Sequence, residues 1–119
     1  MNSIPETAAR LLEEGREKFV LQGHNDTVTD CDFHPGGNWL LSSSRDKTLK
    51  VWDVRDGREL LTLKGHNGRI LRSRFSLDGS HILSLSDDNQ LRVWETETGK
   101  HLYSFEGCSI RAPWKLLPD

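Results

Sequence analysis

This sequence has few of the residues from which disulfide frameworks, metal sites and membrane spans are built. Its 119 residues include only two cysteines, Cys31 and Cys108, which lie far apart and have no CxxC spacing. Free thiols in a reducing compartment are therefore expected. No apolar run approaches the roughly 18 residues of a membrane span. The N-terminal segment carries Glu6, Glu13 and Glu14 and lacks the apolar core of a signal peptide. We predict a cytoplasmic protein without membrane contact.

The charge balance also excludes a class of partner. Sixteen basic and eighteen acidic residues leave a net charge of −2, so the basic footprint of a nucleic-acid-binding protein is missing. His34, His81 and His101 show no metal-ligand spacing. No glycine-rich phosphate-binding loop is recognised, because every glycine is explained by a turn. We therefore predict no metal and no cofactor.

What the chain does contain is a repeat. Gly23–Asn25 returns as Gly65–Asn67, and Trp52–Asp53 returns as Trp94–Glu95, with the same offset in both cases. Aligned without a gap, segments 23–64 and 65–106 are identical at one position in three. A fixed period of about 40 residues is typical of repeat proteins, in which each unit buries its apolar face against a neighbour. Function is then expected to belong to an assembled surface rather than to a catalytic cleft.

The N-terminal segment 1–16 reads as a short helix. Ser3 and Glu6 have the spacing of a capping box, and Pro5 falls in the first turn, where its missing N–H costs nothing. A narrow apolar stripe follows, and Gly15 is the expected stop.

From Lys18 onward the pattern changes to the period of two that is typical of β-strands, interrupted by turn signals rich in Asp, Gly and Asn. The predicted strands are 18–22, 28–33, 39–44, 48–53, 59–63, 70–75, 81–86, 90–94 and 101–105. We therefore predict an all-β chain with one four-stranded antiparallel unit in 17–64, which includes a preceding outer strand, and a second in 65–106. Residues 107–119 read as a degenerate start of a third repeat or an irregular tail.

Four side-chain types recur in register and have the composition of a hydrogen-bonded network. A Ser-His-Asp set invites a hydrolase interpretation, but catalysis needs an exposed hydroxyl, an oxyanion hole and a pocket. Because the same set occurs twice, each time with a Trp, a closed chain from Trp through Ser and His to Asp is the favoured interpretation. The members are His24, Ser42 or Ser44, Asp46 and Trp52, then His66, Ser84 or Ser86, Asp88 and Trp94.

These residues carry a family resemblance. Residues 42–53, followed by Gly57, and residues 84–95, followed by Gly99, resemble the tryptophan-aspartate (WD) repeat, and the likeness covers about 18–106. The resemblance implies two four-stranded blades of a partial β-propeller, with the polar network as an internal brace. It also implies a non-catalytic scaffold that binds a protein or peptide.

By the same resemblance, partners bind the loops that follow each outer strand and the loops between the second and third strands of a blade. In this chain those loops carry Asn25, Asp26, Arg45, Asn67, Arg69 and Asp87. Two alternatives stay open: a regulatory appendage of a larger enzyme, such as a kinase or protease, and a hydrolase that uses one of the Ser-His-Asp sets.

Two blades do not close a propeller, which needs about four to eight. The chain is then a fragment of a longer array, one subunit of a trimeric or tetrameric ring, or a pair of blades that docks on another protein. Asp30 and Asp32 in the first repeat are replaced by Arg72 and Arg74 in the second. These charges are expected either to line a wet channel or pair locally, or to select neighbouring blades. The identity of the partner is not encoded in any of these features.

Overall fold

The computed structural model describes the backbone of residues 8–13 and 16–106 and the side chains of residues 21–106. This part of the chain holds ten strands and no helix, and therefore no helix that would cross a membrane. The strands are β1 (Ala8–Glu13), β2 (Arg16–Gln22), β3 (Val28–Phe33), β4 (Trp39–Ser44), β5 (Leu49–Asp53), β6 (Glu59–Leu63), β7 (Ile70–Phe75), β8 (His81–Ser86), β9 (Gln90–Glu95) and β10 (His101–Glu106).

Two four-stranded antiparallel sheets form the body of the molecule. The first blade has the order β3-β4-β5-β6, and the second blade has the order β7-β8-β9-β10. The predicted all-β architecture of two four-stranded blades is confirmed. Five predicted strands coincide with the observed ones residue for residue, because period-two patterning and polar turns mark both of their ends.

The N-terminal helix predicted over 1–16 is wrong where the structure describes it. Ala8–Glu13 is strand β1, which pairs antiparallel with β2 from Ala8 opposite Gln22 to Glu13 opposite Arg16. A helix of this length is marginal in water without packing, whereas pairing as a strand satisfies the backbone groups of β2. Residues 1–7, which include the predicted capping box, lie outside the described part.

The hairpin turns repeat along with the sequence. Lys47 and Asn89, at equivalent positions of the two repeats, both take a positive φ, at 74° and 64°. The Lys47 N–H donates to the carbonyl oxygen of Ser44 at 3.3 Å, and the Asn89 N–H donates to that of Ser86 at 3.1 Å. Equivalent turns therefore aim equivalent loops in the same direction in both blades.

The apolar core lies between the two blades. Alternate residues of β4 point to opposite faces, so Leu41 faces the second blade, whereas Leu40 packs with Trp52 on the outer face of the first blade. Leu21 of β2 joins that outer cluster. The inter-blade core consists of Leu41, Leu49, Val51, Leu63, Ile70, Phe75, Ile82 and Trp94.

Two carboxylates of β3 reach across to the backbone of the second blade. Asp30 Oδ2 accepts the Ser73 N–H at 3.1 Å, and Asp32 Oδ2 accepts the Phe75 N–H at 2.8 Å. Strand β7 lies at the edge of its sheet, so its outward N–H groups lack a ladder partner. The two aspartates supply the missing acceptors and thereby join the blades.

The second blade has no means of repeating this contact. Arg72 and Arg74 stand where the first repeat has Asp30 and Asp32. A guanidinium group only donates hydrogen bonds, so neither arginine offers an acceptor to an N–H group of a further strand. The inner edges of the two blades therefore differ, because the first carries carboxylate acceptors and the second carries guanidinium donors.

Asp32→Ala is expected to destabilise the protein by about 2 kcal/mol, because it leaves the Phe75 N–H without its acceptor. Asp32→Asn keeps a side-chain oxygen and is expected to lose less. Urea denaturation measures both values, and Glu106→Ala, at an exposed position on β10, is the matched control. A loss for Asp32→Ala no larger than that of the control would contradict the cross-blade role.

Candidate functional site

The first blade contains a closed chain of buried polar side chains. The Trp52 Nε1–H donates to Ser42 Oγ at 2.9 Å, and Ser42 Oγ lies 2.7 Å from His24 Nε2. His24 Nδ1 lies 3.0 Å from Asp46 Oδ2. Because a carboxylate only accepts, Nδ1 carries the imidazole proton and Nε2 accepts from the serine hydroxyl. Every group in this chain is satisfied.

Asp46 is the anchor of the first network. Its carboxylate also accepts from the Asn25 N–H at 2.9 Å and from the N–H and hydroxyl of Thr48, at 2.9 and 2.6 Å. Burial by itself raises the pKa of Asp46, but the hydrogen bonds from Thr48, Asn25 and His24 outweigh burial and hold that pKa below its ordinary value. Asp46 is therefore ionised at neutral pH and ties the β2–β3 loop to the sheet.

The second network is not closed, contrary to expectation. The Trp94 Nε1–H donates to Ser84 Oγ at 2.8 Å, and Ser84 Oγ lies 2.6 Å from His66 Nε2. His66 Nδ1, however, is buried without a hydrogen-bond partner. Asp88 instead accepts from the Ser86 hydroxyl and from the Gln90 N–H. The structure thus brings together three of the four predicted members in this blade.

The surroundings of the two histidines differ in charge. Lys50 and Glu59 form an ion pair in the first blade, and the equivalent positions of the second blade carry Arg92 and His101. Burial, followed by the positive charge of Arg92, lowers the pKa of His66 to about 4. His66 is therefore neutral at physiological pH, and one of its ring nitrogens stays unsatisfied.

The structure distinguishes the two serines that the sequence left open in each blade. Ser42 and Ser84 accept from the tryptophans, and both are 0% exposed. Ser44 Oγ instead donates to the carbonyl oxygen of Asp26 at 3.1 Å, which holds the adjoining loop. A hydroxyl sealed beneath an indole is out of reach of a substrate, so this geometry argues against the hydrolase alternative. The described residues also contain no group of three His, Cys, Asp or Glu side chains that would hold a metal ion.

Strand alternation sorts the loops of both blades into two ends. The first loop end comprises the β2–β3, β4–β5, β6–β7 and β8–β9 connections, and the second loop end comprises the others. At the first end, backbone bonds join neighbouring loops, from the Arg45 N–H to the Thr27 carbonyl and from the Asp87 N–H to the Arg69 carbonyl. Six exposed residues of this end are those predicted for partner binding, namely Asn25, Asp26, Arg45, Asn67, Arg69 and Asp87.

His34 is an inter-blade contact that the sequence analysis missed. Its Nε2–H donates to the Gly79 carbonyl of the second blade at 3.2 Å. Its ring packs edge-on against Trp39 and Phe75, with centroids 5.1 and 5.0 Å away. The histidine therefore joins the blades at the second loop end, whereas Asp30 and Asp32 join them along strands β3 and β7.

A weak local signal for this contact exists at Gly79. Its φ is +79°, and a Cβ atom at this position would collide with the His34 ring. The internal repeat gives no help, because the second blade carries Ser76 at the position equivalent to His34. The need for a glycine at position 79 arises only from the contact between the two blades.

Asp46→Ala and Asp88→Ala form a matched pair that tests the difference between the networks. Asp46→Ala is expected to cost about 3 kcal/mol, since it removes the partner of His24 and three further hydrogen bonds. Asp88→Ala removes only local contacts at an exposed turn and is expected to cost about 1 kcal/mol. Urea denaturation of both variants measures the loss of unfolding free energy, and equal losses would contradict the difference between the two networks.

The unsatisfied histidine predicts a dependence of stability on pH. The folded pKa of His66 is about 4, below the unfolded value of 6.5, so the unfolded chain takes up the proton first. The stabilisation is complete above pH 6.5 and is lost as the pH falls towards 4, by about 3 kcal/mol in all.

Unfolding free energies between pH 7 and pH 4 measure this loss. His66→Gln is expected to flatten the profile, although the variant is less stable at pH 7. His101→Gln, at an exposed position on β10, is the control and is expected to keep the slope. An unchanged slope in His66→Gln would rule out His66 as its source.

Comparison with known proteins agrees with this geometry. The family model described as WD domain, G-beta repeat matches residues 15–53 and 57–95. A segment of 37 residues is 49% identical to the target of rapamycin complex subunit wat1 of Schizosaccharomyces pombe and covers 31% of this chain and 12% of that protein. Another of 42 residues is 43% identical to lissencephaly-1 homolog 1 of Paramecium tetraurelia and covers 35% and 10%.

A third relative has a similar extent of likeness. Nuclear distribution protein PAC1-2 of Uncinocarpus reesii is 52% identical over 40 residues, which are 34% of this chain and 9% of that protein. Each match thus spans about a tenth of the relative's length, close to one repeat. The two matched segments cover most of the described residues, and each begins one strand before a sheet, so 15–53 spans β2 to β5 and 57–95 spans β6 to β9. The chain therefore belongs to the WD-repeat family.

Proposed function

We propose that this chain supplies two blades of a non-catalytic scaffold that binds a protein or peptide through its first loop end. The observation that carries the proposal is the link between the buried brace and the exposed loops. His24 lies next to exposed Asn25, and Asp46 lies next to exposed Arg45, so two members of the network are joined directly to residues of this surface. The brace thereby holds a polar surface in one conformation.

Pre-ordered loops suit recognition of another protein. Loops that are already tied down lose little conformational freedom on binding, and this raises affinity for a given contact area. The first loop end offers carboxylates at Asp26 and Asp87 and guanidinium groups at Arg45 and Arg69. This mixture favours a polar protein surface over a nucleic acid or an anionic membrane, which would require positive charge throughout.

Two exposed aromatic residues of the second blade support an assembly larger than two blades. Leu61 and Leu63 of the first blade pack on the second blade, and Leu63 is 2% exposed. The equivalent residues of β10, Tyr103 and Phe105, are 60% and 52% exposed. We propose that further blades cover them, either from a longer chain, as the length of the relatives suggests, or from copies in a trimeric or tetrameric ring.

Site-specific cross-linking tests the proposed surface. A photo-reactive amino acid at position 45, in the full chain and in extracts of the source cell, is expected to capture a discrete protein. Asp87→Lys, in the neighbouring loop of the second blade, is expected to lower the yield of that product about threefold or more.

The matched control is Asp56→Lys, which makes the same change of charge in the β5–β6 loop at the second loop end and lines neither cleft of that end. It is expected to leave the yield at position 45 unchanged. If the cross-linking yield is unchanged by Asp87→Lys, or falls equally with both variants, the support for a binding surface at the first loop end is removed.

A further inference from the structure

A cleft of about 430 Å³ opens between the two blades at the second loop end, opposite the surface proposed above. Trp39 of the first blade forms one wall, and Asp78, Glu95 and Glu97 of the second blade lie around it. It lies beside the contact of His34 with Gly79, between residues of the first blade and the β7–β8 and β9–β10 loops of the second blade. It therefore belongs to the pair of blades and not to either repeat alone.

A smaller cleft of about 200 Å³ adjoins it and has an apolar floor. Trp39, Thr96 and Glu97 line both clefts, so the two spaces share a wall. The floor of the smaller one is formed by Val51, Leu60 and Leu61. A cleft with an apolar floor beside a polar one matches a long side chain with an aliphatic stem and a polar head.

The charge of the larger cleft has one sign. Three carboxylates line it, and neither cleft is lined by Lys or Arg. Hydrogen bonds from the Ser80 N–H, the Ser80 hydroxyl and Ser76 lower the pKa of Asp78 to about 2, so this group is ionised. Glu97 is exposed and makes no hydrogen bond or ion pair within residues 21–106. The larger cleft therefore attracts a cation.

Thr96 provides an independent sign of a missing ligand. It is 4% exposed, lines both clefts, and its Oγ1 is buried without a hydrogen-bond partner. The equivalent residue of the first blade is Val54, which packs in an apolar cluster at no such cost. An unsatisfied hydroxyl at this place is unfavourable unless a bound group supplies its partner.

We propose that these adjoining clefts bind the side chain of an arginine carried by a protein partner. The methylene stem lies on Val51, Leu60 and Leu61. The guanidinium plane stacks against Trp39, and its N–H groups reach the Glu97 carboxylate and, once the buried Thr96 side chain rotates into the cleft, Thr96 Oγ1. Arginine fits better than lysine, because its head is planar, weakly hydrated and carries five donors in a fixed fork.

This site goes beyond the scaffold function and does not depend on it. The six residues of the first loop end are absent from the lining of both clefts. Exposed Arg58 and Lys100 belong to the second loop end but do not line the clefts either. Failure of one proposal therefore leaves the other to be judged on its own experiment.

Titration of the full chain with Nα-acetyl-arginine amide, followed by NMR, tests the site. Millimolar probe is expected to produce saturable shifts of the Trp39 indole N–H and the backbone amides of Thr96 and Glu97. Nα-acetyl-citrulline amide, which has nearly the same shape but no charge, is expected to produce much weaker shifts. Equal shifts with both probes, or shifts elsewhere only, would overturn the proposal.

Two variants separate binding from folding. Glu97→Gln is expected to weaken binding about two- to fivefold, as for an exposed ion pair, whereas Glu106→Gln on β10 is expected to have no effect. Thr96→Val is expected to raise the melting temperature, since it removes a buried unsatisfied hydroxyl, and yet to weaken binding about fivefold. Unchanged affinity in both Glu97→Gln and Thr96→Val would also overturn the site.

Discussion

The contact between the two blades combines an apolar centre with a polar inner edge, and the other features of the molecule depend on it. Leu41 and Ile82 belong to a core that neither sheet completes alone. Along the inner edge, Asp30 and Asp32 accept N–H groups of β7, which would otherwise be unsatisfied at the edge of a sheet. His34 adds a further connection at the second loop end. Hydrophobic burial supplies the attraction, and these directional bonds fix how the sheets are oriented.

Both proposed binding regions follow from that orientation. Equivalent loops of the two blades lie side by side, so Arg45 and Asp87 belong to one surface although they come from different repeats. At the opposite end, Trp39 of one blade and Glu97 of the other line the same cleft. Neither surface exists within a single repeat, which is why function in this architecture depends on the assembly of blades.

The two polar networks show that a repeated motif does not ensure a repeated structure. His24 is satisfied at both ring nitrogens, whereas the Nδ1 of His66 has no partner. The charges around the two histidines differ as well, since Arg92 and His101 replace an ion pair of the first blade. A buried network that is only partly satisfied costs stability, so the second blade is expected to be the weaker of the two.

The strands and most positions of the two networks were predictable because the signals are local and occur twice. The N-terminal helix was not, since Ala8–Glu13 has local helix signals but pairs with β2 in the folded chain. Tertiary pairing overrides a weak local preference when it satisfies a whole strand of backbone groups. The contact of His34 with Gly79 was also missed, because its partners come from different repeats.

The sequence by itself therefore determined the repeat, the boundaries of the eight blade strands to within one residue, and the family, since these depend on the alternation of side chains and on turn residues near one another in the chain. Only the tertiary structure decided which serine joins each network, that Asp88 turns away from His66, and that a cleft forms between the blades. These outcomes depend on distances between atoms that are remote in sequence. The close packing of one sheet on the other sets those distances.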